Sequence, residues 1–490
     1  MADDESGGGS SLLRMMVGFS LLTWLNYAVG LVSVPIATRL YDPDQLGRIN
    51  MFKTVEMLLA ALCCLGLDQA FVRFYRERPC NRSREYLLTA CIMPALSLAV
   101  VVSGAMLVFW RWVSGAVVGE QRFVVAVLMG FFLVGTTVGR FLAQLYRMRG
   151  DVKWYTIQGL AVGLTSTTLF LIAAIFSRSY LPALIVMAGL AVLWMVIFTL
   201  THRKAFDLRP TRPEAPFVRE VALYALPLVP ATLLFLGNNS ISQIILRAMD
   251  GFASIGIYSA AVTLATTVNV VQAGFSAAWT PYVLEHYKDE QTNFWPVHRM
   301  VAFVLTFFVL ICTMLQGVIV LLLGPQYREA GVLFPFLFLS PVCFTLVSTI
   351  GLGFNIAKKT YWTIVTAGVA VIVTGAGCFM LIPKLGMIGA ALGVAVGGVA
   401  YTVVATAISE HYYRVAKHYG YVVLTLGASV GAAVINWLLY DNVLWRSVVL
   451  AALFVVCAVL FRQQLALSVR LGRTGLRRIL SHGRRVKQPA

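Results

Sequence analysis

Charged residues are scarce in this sequence. They make up 12% of its 490 residues, against about 25% in a typical soluble protein. Hydrophobic residues make up 59%, and long apolar stretches recur along the whole chain. This shortage of charge excludes an ordinary soluble domain and predicts a polytopic α-helical membrane protein. Stretches such as residues 390–408 also lack the alternation of apolar and polar residues that a transmembrane β-barrel needs.

Patterns for metal or redox chemistry are missing too. The eight cysteines show neither a CxxC pair nor a Cys/His ligand spacing, and most lie in apolar stretches, where cysteine acts as a small hydrophobe. We therefore expect no metal site and no organic cofactor. The longest predicted loop, residues 202–217, is basic and holds only two acids, Asp207 and Glu214. No loop is long enough for a folded catalytic domain, which argues against an enzyme.

Hydropathy predicts fourteen membrane-spanning helices, each of about 20–30 residues. Prolines mark their ends and bends: we expect Pro383 to end the eleventh span, and Pro35, Pro227 and Pro230 to bend the first and seventh. The predicted spans are 12–38, 49–72, 86–109, 122–147, 154–176, 180–201, 218–246, 252–282, 300–323, 330–356, 360–382, 385–409, 419–438 and 443–461.

The distribution of Lys and Arg predicts the orientation of these spans. If the N-terminus is cytoplasmic, 28 of the 39 basic residues fall in cytoplasmic segments and 9 in outer segments, while Lys53 and Arg140 lie within spans. This is the bias expected from the positive-inside rule. The net charge of +18 is then a sign of topology, and no nucleic-acid partner is needed to explain it.

The sequence repeats itself at a spacing of 208 residues. The segment RLYD, with Arg39 and Asp42, recurs as RAMD, with Arg247 and Asp250. Six spans separate the copies, so they share one orientation, which predicts two parallel lobes around a central cavity. The predicted segments are a disordered cytoplasmic tail (1–11), an N-lobe (12–201), a cytoplasmic inter-lobe loop (202–217), a C-lobe (218–409), the last two spans (419–461) and a basic amphipathic cytoplasmic tail (462–490).

Four segments resemble a known family. ATRLYDPDQLGRINMF (37–52) looks like the connection of its helices 1 and 2, and residues 224–265, with paired prolines and GIYSAA, look like its helix 7–8 unit. Residues 321–337 resemble its helix 9–10 connection, and LIPKLGMIGAALG (381–393) resembles its helix 11–12 turn. Together the resemblance covers about 12–410, in order. The family is the polysaccharide and O-antigen (oligosaccharidyl-lipid) flippases of the multidrug/oligosaccharidyl-lipid/polysaccharide exporter superfamily.

The resemblance implies two six-helix lobes with two appended helices. It also implies that undecaprenyl-pyrophosphate-linked oligosaccharide crosses a bacterial inner membrane by alternating access. A lipid II flippase and a cation-coupled multidrug exporter are the alternatives. The core of span 1 has no basic residue, which disfavours the lipid II flippase. Neither span 1 nor span 7 holds a deep carboxylate, which disfavours the multidrug exporter. A coupling cation, sodium or proton, stays open, as does a protein partner such as a glycan polymerase.

Polar side chains within the spans are candidates for substrate contact, because they are costly in hydrocarbon. Lys53 is the best match to a substrate pyrophosphate, although Glu56, three residues further on, could hold it in an ion pair instead. Asp68 could pair with Arg73 or Arg76 near the inner end of span 2, and either acid could serve in ion coupling. The other candidates for substrate contact are Arg140, Arg39, Arg247, Asn239 and Gln272.

The orientation can be checked by cysteine labelling in intact cells. A cysteine introduced at Arg209, in the predicted cytoplasmic loop, should resist an impermeant maleimide added outside, because the basic loops stay inside. A cysteine at Arg178, in a predicted outer loop, is the matched control and should react. The reverse labelling pattern would reject this topology.

Overall fold

A computed structural model describes residues 24–77, 83–206, 215–266, 294–357, 361–414 and 419–468, with Lys359 and single residues between 269 and 283. Within these residues the regular structure is helical throughout and contains no strand, which confirms the predicted all-α fold. The tail 1–11, residues 207–214 of the loop 202–217 and residues 469–490 of the basic tail lie outside the described residues.

The helices follow one another closely along the chain. In order they are α1 (24–40), α2 (Pro43–Cys64), α3 (Leu67–Phe74), α4 (Arg84–Val108), α5 (Trp110–Val118), α6 (Phe123–Arg149), α7 (Val152–Phe176), α8 (Tyr180–Thr201), α9 (Ala215–Ala225), α10 (Leu228–Met249), α11 (Phe252–Ala265), α12 (Phe294–Met314), α13 (Gln316–Leu322), α14 (Phe334–Ile350), α15 (Gly353–Ile356), α16 (Tyr361–Tyr412), α17 (Gly420–Leu438) and α18 (Val443–Leu460).

Among the described residues, nine helices are long and apolar enough to cross a membrane, or eleven if each of two bent pairs forms one span. The protein is therefore a multi-pass membrane protein. The count of fourteen stays a prediction, because α1 is described only from residue 24, the predicted span 252–282 is described in part, and α16 covers two predicted spans.

The predicted span 49–72 is not one straight helix in the structure. The helix begins earlier, at Pro43, and a bend of 51° separates α2 from α3. At this bend Leu65 and Gly66 are both left-handed, with φ of 50° and 69°. A left-handed leucine is unusual, because its Cβ crowds the backbone, so propensity alone does not reveal the break.

Proline acts differently in the seventh and eleventh predicted spans. In span 7 the helix is interrupted at the expected proline, since α9 ends at Ala225 and α10 begins after Pro227, and one candidate span runs through this break. The expected end of span 11 at Pro383 is wrong, because helical structure continues through it and the break falls at Gly386, with φ 53° and ψ −130°. Proline removes one hydrogen bond, whereas this sharp turn needs the positive φ that glycine adopts readily.

The helices form two bundles. In the first, α6 packs against α4 and α8, and α7 packs against α8. In the second, α16 packs against α10 and α14, while α17 and α18 are appended through α12. The two halves of the interrupted seventh span belong to different bundles, since α9 packs on α3 and α10 packs on α16. The chain therefore crosses from one bundle to the other at Leu226 and Pro227.

The bundles meet where α2 crosses α11, and we call this contact the α2–α11 crossing. A Cβ on Gly47 would lie 1.8 Å from the Phe252 carbonyl oxygen, and a Cβ on Gly256 would lie 2.0 Å from that of Pro43. Next to them, Asn50 Nδ2 donates to Ser259 Oγ at 2.6 Å, across 209 residues of sequence. The same offset relates Pro43 to Phe252 and Gly47 to Gly256. The crossing is thus nearly two-fold symmetric, with an offset one residue longer than the 208-residue spacing of the sequence repeat.

A close contact also forms between the two helix breaks of the first bundle. A Cβ on Gly66 would lie 2.4 Å from the Ala225 carbonyl oxygen, so the bend between α2 and α3 seats the end of α9. Beside it, the rings of Phe74 and Tyr224 pack edge to face with centroids 5.6 Å apart. We call this the α3–α9 contact. It holds the first half of span 7 against the first bundle, immediately before the chain crosses to the second.

An ionic cluster supports the first bundle at the α2–α11 crossing. Arg48 forms ion pairs with Asp44 and Glu120, each at 2.8 Å, and Arg122 pairs with Glu120 at 2.7 Å. Burial alone would raise the pKa of Glu120, but the hydrogen bond from Tyr180 and the charges of Arg122 and Arg48 hold this pKa below its ordinary value. The cluster ties α2 to the α5–α6 connection and to the start of α8.

Replacing Gly256 with valine should destabilise the protein. A side chain cannot fit beside the Pro43 carbonyl without separating α2 from α11, and overpacking of this kind costs about 1–3 kcal/mol. The measurement is the thermal unfolding midpoint in detergent. Gly104→Val is the matched control, because nothing lies within 4 Å of a Cβ at that helical position. Equal midpoints for the two variants would contradict the close approach.

Acid should loosen the ionic cluster. A lowered pKa in the folded state means that the Glu120 contribution to stability is complete above the ordinary pKa of about 4.3. It is lost as the pH falls through the lowered value. Between pH 6 and pH 3, the unfolding midpoint of the wild type should fall further than that of Glu120→Gln, which lacks this titration. Parallel curves for the two proteins would argue against a role for Glu120.

Candidate functional site

A line of polar side chains crosses the interior of the first bundle. Glu56 on α2 is buried and accepts a hydrogen bond from Thr136 Oγ1 on α6. One turn along α6, the Arg140 guanidinium lies 3.7 Å from the Asp68 carboxylate on α3, measured from Nη2 to Oδ2. The line therefore joins three helices of the bundle, and it brings together Arg140, Glu56 and Asp68 from the predicted candidates.

Lys53 is exposed on α2, and its Nζ lies 5.0 Å from the centroid of the Phe170 ring on α7. The ion pair expected between Lys53 and Glu56 does not form, because Glu56 turns to α6 while Lys53 extends over α7. Its ammonium is held by a cation–π contact. Such a contact leaves its hydrogen-bond donors free for an anionic group.

Asp68 also departs from the expected pairing. Its partner is Arg140 of α6, whereas Arg73 forms an ion pair with Glu77 at 2.8 Å. The bend before α3 explains the difference, because it points the first turn of α3 back into the bundle, where Asp68 is buried. Asp68 and Arg73 both lie on α3, where a spacing of five residues puts them on different faces of the helix.

A cavity of about 450 Å³ lies between α1, α6, α7 and α8. Its wall is almost entirely apolar, with aromatic, methionine and glycine residues predominating. Arg140 and Thr136 reach this wall from the polar line, and Gln158 and Asn26 add two amides. The cavity is within the size range of pockets that hold small ligands, about 300–1,000 Å³.

Arg39 and Arg247 lie at the boundary between the bundles. Arg247 Nη2 donates to the Gly115 carbonyl of the first bundle at 3.1 Å, and its guanidinium stacks over the Phe252 ring. Arg39 Nη2 approaches the Leu321 carbonyl of the second bundle at 3.5 Å. These repeat-related arginines thus reach across the boundary in opposite directions, next to the α2–α11 crossing. Here both guanidinium groups contact protein carbonyls.

The candidate amides belong to the second bundle. Asn239 lies on α10 with its side chain outside the described part, and Gln272 is helical and half-buried. Their neighbour Asn238 is buried and accepts from Thr374 Oγ1 of α16 at 3.3 Å. Asn238 also lines a small polar cavity of about 70 Å³ between α10, α11, α14 and α16. Within the described residues, neither Asn238 nor Gln272 makes a hydrogen bond to the polar line of the first bundle.

Sequence reasoning missed Thr136, Gln158 and Asn26. Two pairs of glycines could have indicated the cavity that these residues line. Gly135 and Gly139 on α6, and glycines 159 and 163 on α7, each repeat at a four-residue spacing and line the cavity. Small residues at that spacing mark a helix face that approaches a neighbour or leaves room beside it. Three-dimensional packing decides between these outcomes.

Among the described residues, no group of His, Cys, Asp or Glu side chains could hold a metal ion.

Comparison with known structures shows the fold. The lipid II flippase MurJ, in an inward closed conformation, matches with a TM-score of 0.65 and 14% identity, over 92% of this chain and 99% of that chain. An inward-facing multidrug resistance MATE family transporter of the MOP superfamily matches with a TM-score of 0.55 and 14% identity, over 82% of this chain and 97% of that chain. At these identities the similarity establishes a shared architecture, including the two lobes.

Comparison with protein families shows the relationship in sequence. A family described as polysaccharide biosynthesis protein matches residues 13–287, which is more than half of the chain. No curated protein matches the sequence. The match covers α2, the cavity helices and the α2–α11 crossing, which are the elements described above. The chain therefore belongs to the polysaccharide biosynthesis protein family, and it has the fold that MurJ and the MATE transporters share.

Proposed function

We propose that this protein is a flippase that moves undecaprenyl-pyrophosphate-linked oligosaccharide from the inner to the outer leaflet of a bacterial cytoplasmic membrane. The observation that carries the proposal is the polar line inside the first bundle, with Arg140 as its cation and with Lys53 exposed nearby on α2. Membership of a polysaccharide biosynthesis family supports the glycan, and the shared fold supports transport. Flipping breaks no covalent bond, so the protein has to shield only a polar head group from hydrocarbon.

Alternating access supplies the mechanism. For a substrate to enter from one leaflet and leave to the other, the α2–α11 crossing has to open and close again, while the second bundle turns about the break between α9 and α10. The positive-inside bias puts the crossing on the outer side and both termini in the cytoplasm. In this scheme Arg39 and Arg247 hold the outer side closed by their carbonyl contacts and contact substrate only after the crossing opens.

The two cations would act in succession on a pyrophosphate. Arg140 is nearer the inner side and Lys53 nearer the outer side, so each could hold the head group in turn. A charge in a cavity partly shielded from water acts at lower effective dielectric than one in bulk water, which strengthens the contact. Two sites of moderate strength would pass a head group along without trapping it.

Substrate assays separate this proposal from its alternatives. The MurJ likeness makes lipid II the second substrate to test, and the MATE likeness makes an organic cation the third. Proteoliposomes should flip a lipid-linked oligosaccharide faster than either. Imposed sodium and proton gradients then identify any coupling cation, and co-purification tests a glycan polymerase as a partner. Preference for lipid II or for a drug would overturn the proposal.

Replacing Lys53 with alanine should slow flipping by about tenfold or more, since a charge-assisted hydrogen bond contributes about 1.5–3 kcal/mol. Lys53→Arg should retain much of the rate, because it keeps the charge. Lys384→Ala, which removes an exposed lysine at the bend in α16, is the matched control and should flip normally. The measurement is flipping of the lipid-linked oligosaccharide in proteoliposomes with equal protein content.

A double variant tests whether Lys53 acts only through Glu56. Because the two side chains form no ion pair, Lys53→Ala with Glu56→Ala should flip no faster than Lys53→Ala alone. Recovery of the double variant to the wild-type rate would mean that Lys53 serves to neutralise Glu56, and it would remove Lys53 from the substrate path.

A further inference from the structure

The cavity between α1, α6, α7 and α8 has the length and the apolar wall of a binding site for a linear hydrocarbon chain, and we call it the slot. It extends along about eleven residues of each of α6, α7 and α8, from Phe132 to Ala143 on the first of them. At 1.5 Å per residue this is a slot about 16 Å long. A slot that follows helices in a membrane protein, with an apolar wall, suits a linear hydrocarbon chain better than a compact sugar.

Arg140 gives this apolar slot one cationic point. Its side chain is 36% exposed, and its closest acid, Asp68, lies at 3.7 Å, which is too far for a hydrogen bond. The guanidinium makes no hydrogen bond with the described residues, so its planar set of N–H donors is unused. That arrangement matches two oxygens of a phosphate, which arginine binds in a bidentate manner.

Buried polar groups beside the slot point to a ligand as well. Gln158 lines the slot and is only 6% exposed; its Nε2 donates to the Gly139 carbonyl at 2.9 Å, while its Oε1 has no partner. A buried amide oxygen without a partner costs about 1–3 kcal/mol. The hydroxyl or water of a bound head group could satisfy it after a small side-chain rotation.

We infer that the slot between α6, α7 and α8 binds the carrier lipid as a polyprenyl phosphate, with the isoprenoid chain along the apolar wall and the phosphate on Arg140. The inference rests on the proposed function, because it takes the proposed substrate to be carried on such a lipid. It assigns the carrier to a site within one bundle, and it leaves the space between the bundles to the glycan.

Asp68 adjusts the affinity of this site. Its carboxylate is the nearest charge to Arg140 and reduces the attraction of the guanidinium for a second anion. Removing that carboxylate should therefore strengthen phosphate binding. A purely structural ion pair predicts the opposite behaviour, namely that loss of either partner lowers stability and no ligand responds.

The test is native mass spectrometry of the full chain titrated with geranylgeranyl phosphate and, separately, with geranylgeraniol, which has the same chain and no phosphate. The wild type should bind the phosphate at least tenfold more tightly than the alcohol. Arg140→Gln should abolish this difference, whereas Arg147→Gln, an exposed arginine on the same helix, should keep it. Asp68→Asn should tighten phosphate binding severalfold.

A cavity-filling variant tests the location. A Cβ on Gly139 would meet only Gln158 Nε2, at 4.0 Å, so leucine fits at this position and extends into the slot that Gly139 lines. Gly139→Leu should weaken both ligands at least tenfold. Gly104→Leu, at an exposed helical glycine with open space around it, is the control and should bind as the wild type does.

The outcomes separate this inference from the proposed function. If Gly139→Leu binds geranylgeranyl phosphate as tightly as the wild type, the slot is not the site, whatever the flipping assay shows. If phosphatidylglycerol binds as tightly and responds to the same variants, the site accepts lipid phosphates in general and the polyprenyl assignment fails. If binding behaves as expected but proteoliposomes flip no lipid-linked glycan, the proposed function fails and the site stands.

Discussion

The arrangement of the two bundles depends on one close approach, that of α2 to α11. Backbone carbonyls of each helix occupy the space where the other would carry a side chain, so Gly47 and Gly256 are the residues that make the contact possible. Small residues permit helices in membranes to pack by van der Waals contact, which replaces the hydrophobic driving force that lipid does not supply. The Asn50–Ser259 hydrogen bond and the cross-boundary arginines then fix the register of this contact.

The first bundle contains a balanced set of charges. Lys53 and Arg140 are matched in number by Glu56 and Asp68, and yet the only ion pair among the four is the loose one at 3.7 Å. A tight buried ion pair would gain Coulomb attraction but would cost the desolvation of both charges, and it would leave few hydrogen-bond donors for a ligand. Both cations are at least partly exposed, Lys53 over the Phe170 ring and Arg140 at the cavity wall, so an anion can reach them.

Much of this architecture could be predicted from the sequence, and the features that could be predicted differ in physical origin from those that could not. Helix content, the repeat and the bend at Pro227 follow from hydropathy, spacing and the chemistry of proline, which are local properties. The break at Leu65 does not, because a leucine in the left-handed region is sustained only by tertiary contacts. The partner of Asp68 and the slot beside Gly139 were missed for the same reason, since both arise where separate helices meet. Of the candidate site, the charged residues could be named from sequence, but their contacts could not.

The break in the seventh predicted span has a consequence for movement. Pro227 has no N–H, and the Val229 N–H bonds to the Leu226 carbonyl, so the regular hydrogen bonding of the helix is already interrupted where α9 meets α10. Rotation of one bundle against the other can therefore change the angle at this point without breaking helical hydrogen bonds. The fit of the Ala225 carbonyl against Gly66 holds the α9 side of this joint in the first bundle. Because the chain is anchored on one side of the joint and lacks regular hydrogen bonding at it, the second bundle can turn while the first keeps its packing.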